Sequence, residues 1–445
     1  MSQLPVDRQH FTKAVTEFGE KRPVVTTRAI FNTRGIKIVE AGVAVNSGLY
    51  ERLMQHQLER PLEDSVASPP TVTGRMLRDS AAAQLKTFPL FASMALDEET
   101  RALLLDTLER LPLPEPIAFQ LTLAYEVRPD LFEHSVLSSM VAAWLAMETR
   151  ISRATMATAA TAGLLHDLGL LHLDPVLLSY RRNIDPAQRR QLYSHPLVST
   201  VLIERHSEYP PEMVRGVREH HEFLDGSGYP ASLAGEQISQ VGRILALTEL
   251  VAGSFAPGRE APVQRLSVQL RMNTHRYDEA LVEKVLRILR PQPAEASTAI
   301  ALLADPIEGL LAIYEALNAW PVGLDKQPDL PSRRQQAIRN IPRQVAQLQR
   351  TLARVGVTPE QLSQLGTDAL GIPLQTELTL LAREAAWQLG TLAQETRRHM
   401  GSHPGSECPP QLKEWIERIA RIAAEISGSS PASQDDDHPA ERGGA

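Results

Sequence analysis

The sequence predicts a mainly α-helical protein, and three observations carry that prediction. Apolar residues recur at helical spacing through most of residues 120–290 and 300–427. β-branched runs separated by turn residues are confined to the first part of the chain. Prolines gather at 112–116 and 291–293, where the periodic pattern stops. At 445 residues the chain has the length of two to four domains. The expected organisation is a small N-terminal α+β region over 1–110, a central helical bundle over 120–292 and a C-terminal helical bundle over 300–427. The Ser-, Asp-, Gly- and Pro-rich segment 428–445 is expected to be a disordered tail.

The elements follow in order. Val24 to Phe31, the turn Asn32-Thr33-Arg34-Gly35, and Ile36 to Val39 read as a hairpin. Asn46 or Ser47 caps a short helix carrying Leu49 and Leu53. Leu62 to Thr73, with Pro69-Pro70, reads as a linker, and Glu98 to Leu111 as a helix stopped by Pro112, Pro114 and Pro116. In the central part, Leu131 to Met147 places Leu137, Val141, Trp144 and Leu145 on one face. Thr155 to Leu171 is a helix of small residues suited to close packing. Asp185-Pro186 is a cap followed by proline at the first helical position. Met213 to Glu222, Val241 to Ser254 and Tyr277 to Leu289 are further helices, with a loop at Gly226, Gly228 and Pro230. In the last part, Ile338, Ile341, Val345, Leu348, Leu352 and Val355 form a bundle seam containing Pro342, and Leu412, Ile416, Ile419 and Ile426 mark a final amphipathic helix.

Composition narrows the function. Lys and Arg total 46 against 53 Asp and Glu, a net charge of −7, which argues against general affinity for nucleic-acid polymers. Aromatic residues are 5%, too few for stacking platforms along a single strand. The single cysteine, Cys408, excludes an intramolecular disulfide and a thiolate metal cage. The opening residues lack the apolar core of a signal peptide, and the apolar stretch Ser135 to Met147 is too short to span a bilayer. A cytoplasmic location without membrane contact is the expectation.

Histidine is the informative residue. Of 13 histidines, seven lie between His134 and His221. In order come His134, His166-Asp167, His195 and His220-His221, each on or at the end of a predicted helix. Imidazole nitrogens suit Zn, Fe and Mn, and a carboxylate can bridge two cations. His166 and Asp167, as neighbours on one helix, would point about 100° apart and serve one cluster only if it lies between helices. Five histidines with Asp167 exceed the needs of one tetrahedral ion and suit a two-metal centre of the kind that clamps a phosphoryl group. Asp130, four residues before His134, shares its helical face, and Glu249 lies on the helix after the glycine loop. His10, His56, His172, His206, His275, His399, His403 and His438 are read as surface or core residues. Spacing alone leaves the metal count and the reaction open.

His166-Asp167-Leu168-Gly169 and the run His220-His221-Glu222-Phe223-Leu224-Asp225-Gly226-Ser227-Gly228-Tyr229-Pro230 resemble the two signature motifs of HD-GYP domains. These are HD-superfamily phosphohydrolases that hydrolyse the bacterial second messenger cyclic di-GMP. The resemblance covers about residues 120–290, extends loosely to 29–62, and implies that the central bundle is of HD type. It implies that His134, His166, Asp167, His195, His220 and His221 are metal ligands. Glu249 stands where the family has an aspartate, and Asp130 where some members supply an acid to a third metal. Two or three divalent ions of iron or manganese type are implied, with Asp167 and His166 at the catalytic centre. The resemblance also implies that Asp225, Gly226, Gly228, Tyr229 and Pro230 form a substrate or partner loop.

The sequence departs from that pattern twice. Leu170 replaces a lysine, and Phe255-Ala256-Pro257-Gly258-Arg259 replaces a segment resembling Arg-Pro-Tyr-Arg. The resemblance implies a phosphodiesterase converting cyclic di-GMP to pGpG or GMP in signalling. The departures motivate an alternative, a weakly active sensor or scaffold that binds metal, cyclic di-GMP or proteins. Another phosphate ester is a third reading. Diguanylate cyclases carrying GGDEF domains and a second copy of the chain are the implied protein partners.

Overall fold

The structure is a computed structural model. It describes all residues except 1–7, 70, 89–96, 150–152, 179–184, 256–259, 290–299, 322–331, 366–370, 402–407 and 428–445. It is mainly α-helical, as the sequence predicts. The segment after Phe255 and the C-terminal tail, both singled out above, lie outside the described residues.

The N-terminal region begins with helix α1 (Arg8–Lys21), followed by β1 (Val25–Thr26), β2 (Ile30–Phe31), β3 (Lys37–Val39) and α2 (Ser47–Met54). The expected hairpin is β2 paired antiparallel with β3. Asn32 shapes its turn by accepting from the amides of Arg34 and Ile36, at 3.0 and 2.9 Å, and Gly35 takes φ +74°. Two details differ from the sequence reading. The run from Val24 is two short strands, and the presumed linker holds a 3-10 helix (Leu62–Asp64) and β4 (Val66–Ala67). β4 pairs antiparallel with β1 across some forty residues of chain, a partnership that local sequence does not display.

The central region runs through α3 (Gly74–Thr87), α4 (Glu98–Glu109), α5 (Glu115–Val127), α6 (Pro129–Glu148) and α7 (Arg153–Leu165). Pro116 sits in the first turn of α5, so it starts a helix as well as ending the previous pattern. Then come α8 (Pro186–Leu192), α9 (His195–Ile203), α10 (Pro211–Glu219), α11 (Gln240–Ser254), α12 (Pro262–Met272) and α13 (Glu279–Ile288). Asp185 caps α8 with Pro186 in its first turn, as expected, and Gln188 completes a capping box. The remaining helices are α14 (Pro306–Asn318), α15 (Ser332–Arg354), α16 (Pro359–Gln364), α17 (Ile372–Gly401) and α18 (Pro410–Ser427). No helix among the described residues is long and apolar enough to cross a membrane.

Two apolar cores organise these helices. One runs unbroken from Phe11 and Phe18 of α1 through α6, α7 and α11 to Leu289. The other joins α14 to α18, and Val268 and Met272 of α12 enter it. Small residues let α6 and α7 approach closely. A side chain at Gly163 would begin 2.7 Å from the Ser138 carbonyl, and Ala142, Ala143, Ala159 and Ala160 are fully buried. The Ser139 hydroxyl donates to the Ala160 carbonyl at 2.8 Å. This contact brings His134, on α6, close to His166, at the end of α7.

Candidate metal centre

The small-residue helix ends at Leu165, short of the predicted Leu171, and His166 and Asp167 follow in the turn that leads to a 3-10 helix (Leu168–His172). The two side chains therefore leave a helix end and are not fixed at the 100° offset of helical neighbours. Gly169 explains the break. A side chain there would begin 2.4 Å from the His195 carbonyl and 2.9 Å from the Ser199 hydroxyl. The Gly169 amide donates to that hydroxyl at 2.8 Å. The turn thus docks against the first residues of α9 and delivers His195 beside Asp167. His220 and His221 arrive from the C-terminal end of α10, and Glu249 from the middle of α11.

The side chains converge in two groups. His134, His166, Asp167 and Glu249 form one, and His195, His220 and His221 the other. Glu249 Oε2 lies 3.2 Å from the Nε2 atoms of both His134 and His166. In the second group, His195 Nε2 lies 3.1 Å from the Nε2 atoms of His220 and His221. Asp167 faces both groups. Its Oδ2 is 3.4 Å from His166 Nε2 and 3.7 Å from His134 Nε2, and its Oδ1 is 3.3 and 3.6 Å from the Nε2 atoms of His195 and His220. Asp130 is placed apart from both groups. Its carboxylate receives the Arg128 guanidinium at 2.9 and 3.1 Å.

Hydrogen bonds assign the imidazole tautomers. The Nδ1 atoms of His166, His195 and His220 face the carbonyls of Gly163, Leu192 and Val217 at 2.8, 2.7 and 2.6 Å. A carbonyl only accepts, so each Nδ1 carries a proton, and in the neutral ring Nε2 presents a lone pair to the cluster. Lone pairs of His195 and His220 facing one another at 3.1 Å repel unless a cation lies between them. Two ligands on one cation, with bonds of about 2.1 Å, stand roughly 3.0–3.4 Å apart. Asp167 Oδ1 and Glu249 Oε1 are buried and meet no hydrogen-bond donor among the described residues. The donor set fits divalent metal.

Without a cation the cluster compensates its own charge: burial opposes it, but Asp167 and Glu249 hold the His166 imidazole well above its ordinary value, so a metal would take the place of its Nε2 proton. Burial works against ionising Asp167, but the imidazoles of His166 and His195 outweigh it and hold the carboxyl well below its usual range. Burial also opposes ionisation of Glu249, yet His134 and His166 bring its pKa down to about 2. Burial and neighbouring imidazoles push His220 and His221 well below the ordinary histidine value, which favours their neutral, metal-binding form.

The glycine loop closes over the second group. Tyr229 stacks on His221 with ring centroids 4.6 Å apart, and Tyr193 stacks on Tyr229 at 4.0 Å. A side chain at Gly228 would begin 2.4 Å from the His221 carbonyl, so glycine permits the approach. Asp225 accepts from the amide and hydroxyl of Ser227 and faces Arg276 and His275. Gly226 takes φ +78°, and Pro230 follows a cis peptide bond. Two residues with structural duties here escaped the sequence reading. Glu222, 1% exposed, accepts from the amides of Ala231 and Leu233 at 2.6 and 2.8 Å and so pins the loop to the histidine pair. Its position beside His221 was the available signal. Tyr193 had none, because its stacking partner is distant in sequence.

Residues 89–281 match the family model described as HD domain. This segment is an HD domain. The chain is also similar to a 3'3'-cGAMP-specific phosphodiesterase of Vibrio cholerae serotype O1, 28% identical over 163 residues, or 35% of each chain. A cyclic di-GMP phosphodiesterase of Pseudomonas aeruginosa is 31% identical over 120 residues, 27% of this chain and 29% of that one. A cyclic di-GMP phosphodiesterase of Vibrio cholerae is 26% identical over 134 residues, 28% and 27% of the respective chains. The matches span about a third or less of the length of these relatives.

Proposed function

We propose that the chain is a metal-dependent phosphodiesterase that hydrolyses cyclic di-GMP to pGpG or GMP. The observation that carries this reading is Asp167, with one oxygen turned to His134 and His166 and the other to His195 and His220. A carboxylate so placed suits a bridge between two cations. His134, His166 and Glu249 would hold one, and His195, His220 and His221 the other. Iron or manganese suits this mixed imidazole and carboxylate set. Cations bound there would supply Lewis acidity to a phosphoryl oxygen and acidity to a water molecule. The chain's own part is to aim the Nε2 lone pairs through backbone-held Nδ1 atoms, to keep His220 and His221 neutral, and to hold the Tyr229 loop against the site through Glu222. In the net reaction a water oxygen bonds to phosphorus, one phosphorus–ester oxygen bond breaks, and the leaving oxygen takes a proton.

The test is anaerobic loading with iron or manganese, metal quantification, and chromatography of products from cyclic di-GMP and 3'3'-cGAMP. Cleavage that is lost in His166→Ala and Asp167→Ala is the expected result. No turnover of either dinucleotide with any metal would overturn the proposal. Metal removal adds a structural readout, because the clustered imidazoles and carboxylates lose their counterions. Chelation should lower the melting temperature, and restoring the metal should recover it.

One observation favours a second reading, a binding module with weak turnover. Leu170 is 2% exposed within the first apolar core, so the position implied for a phosphate-directed lysine is hydrocarbon. Losing one such cation costs on the order of 3 kcal/mol of transition-state stabilisation, by analogy with an oxyanion donor. Tight binding of cyclic di-GMP without product would select this reading.

A further inference from the structure

The N-terminal region holds a cavity of about 340 Å³, lined by Arg28, Phe31, Glu59, Arg60 and Ser65 among others. Its walls are stitched together by the backbone. Glu59 donates its amide to the Phe31 carbonyl at 2.9 Å, Thr27 donates to Ser65 at 2.9 Å, and β1 pairs with β4. Among the described residues, neither Arg28 nor Arg60 is tied into a hydrogen bond or close ion pair. Phe31 leaves 37% of its surface exposed, although it lies in a strand.

We propose that this cavity binds a guanine mononucleotide and that its occupancy is relayed to the helix that begins at His195. Two guanidinium groups that make no direct hydrogen bond among the described residues match a phosphate dianion through paired N–H donors. The exposed face of Phe31 suits a planar base. The Glu59 carboxylate only accepts hydrogen bonds, and guanine offers it adjacent ring and amino N–H donors where adenine offers an amino group alone. The volume falls at the lower end of the roughly 300–1,000 Å³ typical of small-molecule sites, which suits one nucleotide rather than a dinucleotide.

The relay is a single arginine. Residues 62–64 lie between two lining positions, Arg60 and Ser65. Arg205 grips them through Glu63 Oε1 at 2.7 Å and Asp64 Oδ2 at 3.3 Å. Its Nε also donates to the Leu202 carbonyl of α9, at 3.2 Å. A ligand that draws Arg60 and Ser65 together acts on this grip, and through it on α9, whose first residue is His195.

Calorimetry on the full chain with GMP, AMP and inorganic phosphate tests the site without reading turnover, so its outcome is separate from that of the proposed hydrolysis. GMP should bind more tightly than AMP or phosphate. The double variant Arg28→Ala with Arg60→Ala, both exposed, should lose at least about tenfold in affinity with an unchanged melting temperature. Glu59→Gln should erase the preference for GMP over AMP. Absence of saturable GMP binding, or binding equal in the double variant, would overturn the site. GMP should also slow hydrogen exchange across 195–203 in the wild type but not in Arg205→Ala, which should still bind GMP. Exchange unchanged in the wild type, or slowed equally in both, would overturn the relay.

Discussion

The carbonyl oxygen of His195 lies 2.4 Å from the point where a side chain at Gly169 would begin. The motif glycine is therefore a spacer between two segments that carry candidate metal ligands. Gly169→Ala should force α9 away from Asp167 and cost about 1–3 kcal/mol as an overpacking change. Metal content should fall with it. Metal quantification alongside thermal melting checks this, and a fully loaded variant of wild-type stability would contradict the spacer role.

Glu222 is a carboxylate whose partners are backbone amides. Glu222→Gln places an amide NH₂ where only an acceptor fits, so at least one of the bonds to Ala231 and Leu233 is lost. A cost of about 1–3 kcal/mol follows. Hydrogen exchange should speed up locally over 225–234, while the distant helices α14 to α18 stay protected.

His172 gives a pH dependence away from the candidate metal ligands. It is fully buried, stacks on Phe11 at 4.2 Å, and its Nε2 lies 3.4 Å from Gln120 Oε1. Burial, reinforced by Arg205, lowers its pKa from 6.5 to about 3. Below pH 6.5 the unfolded chain takes up a proton that the folded chain refuses. Stability from this residue is thus complete above pH 6.5 and declines as pH falls toward 3, by about 1.4 kcal/mol per unit. Denaturant melts at pH 7 and pH 5 should differ by about 2 kcal/mol more in the wild type than in His172→Gln. Equal differences would exclude the effect.

Leu170→Lys tests the most visible departure from the HD-GYP pattern. Because Leu170 is 2% exposed in an apolar core, a lysine there buries an ammonium without a partner. The expected result is a loss of several kcal/mol with no gain in hydrolysis. A stable variant with raised turnover would show instead that the lysine reaches the substrate.

The sequence displayed the helices because their apolar faces repeat over many turns, and it displayed the histidines because few other residues offer that chemistry. It did not display where the small-residue helix ends. Gly169 breaks it through contact with His195 and Ser199, which are some thirty residues away. Asp130 illustrates the same limit. Helical spacing puts it on the face of His134, but the neighbouring Arg128 claims its carboxylate. β4 and Tyr193 likewise owe their places to distant partners.

The apolar core that runs from Phe11 to Leu289 has a practical corollary. Phe11 and Phe18 of α1 are 2% exposed within the same core as the helices that carry the clustered histidines. Trimming the chain to start near residue 120 would strip the histidine-bearing bundle of one flank and leave a sticky hydrocarbon wound. Such a fragment should aggregate, and its inactivity would say nothing about the chemistry of the intact molecule.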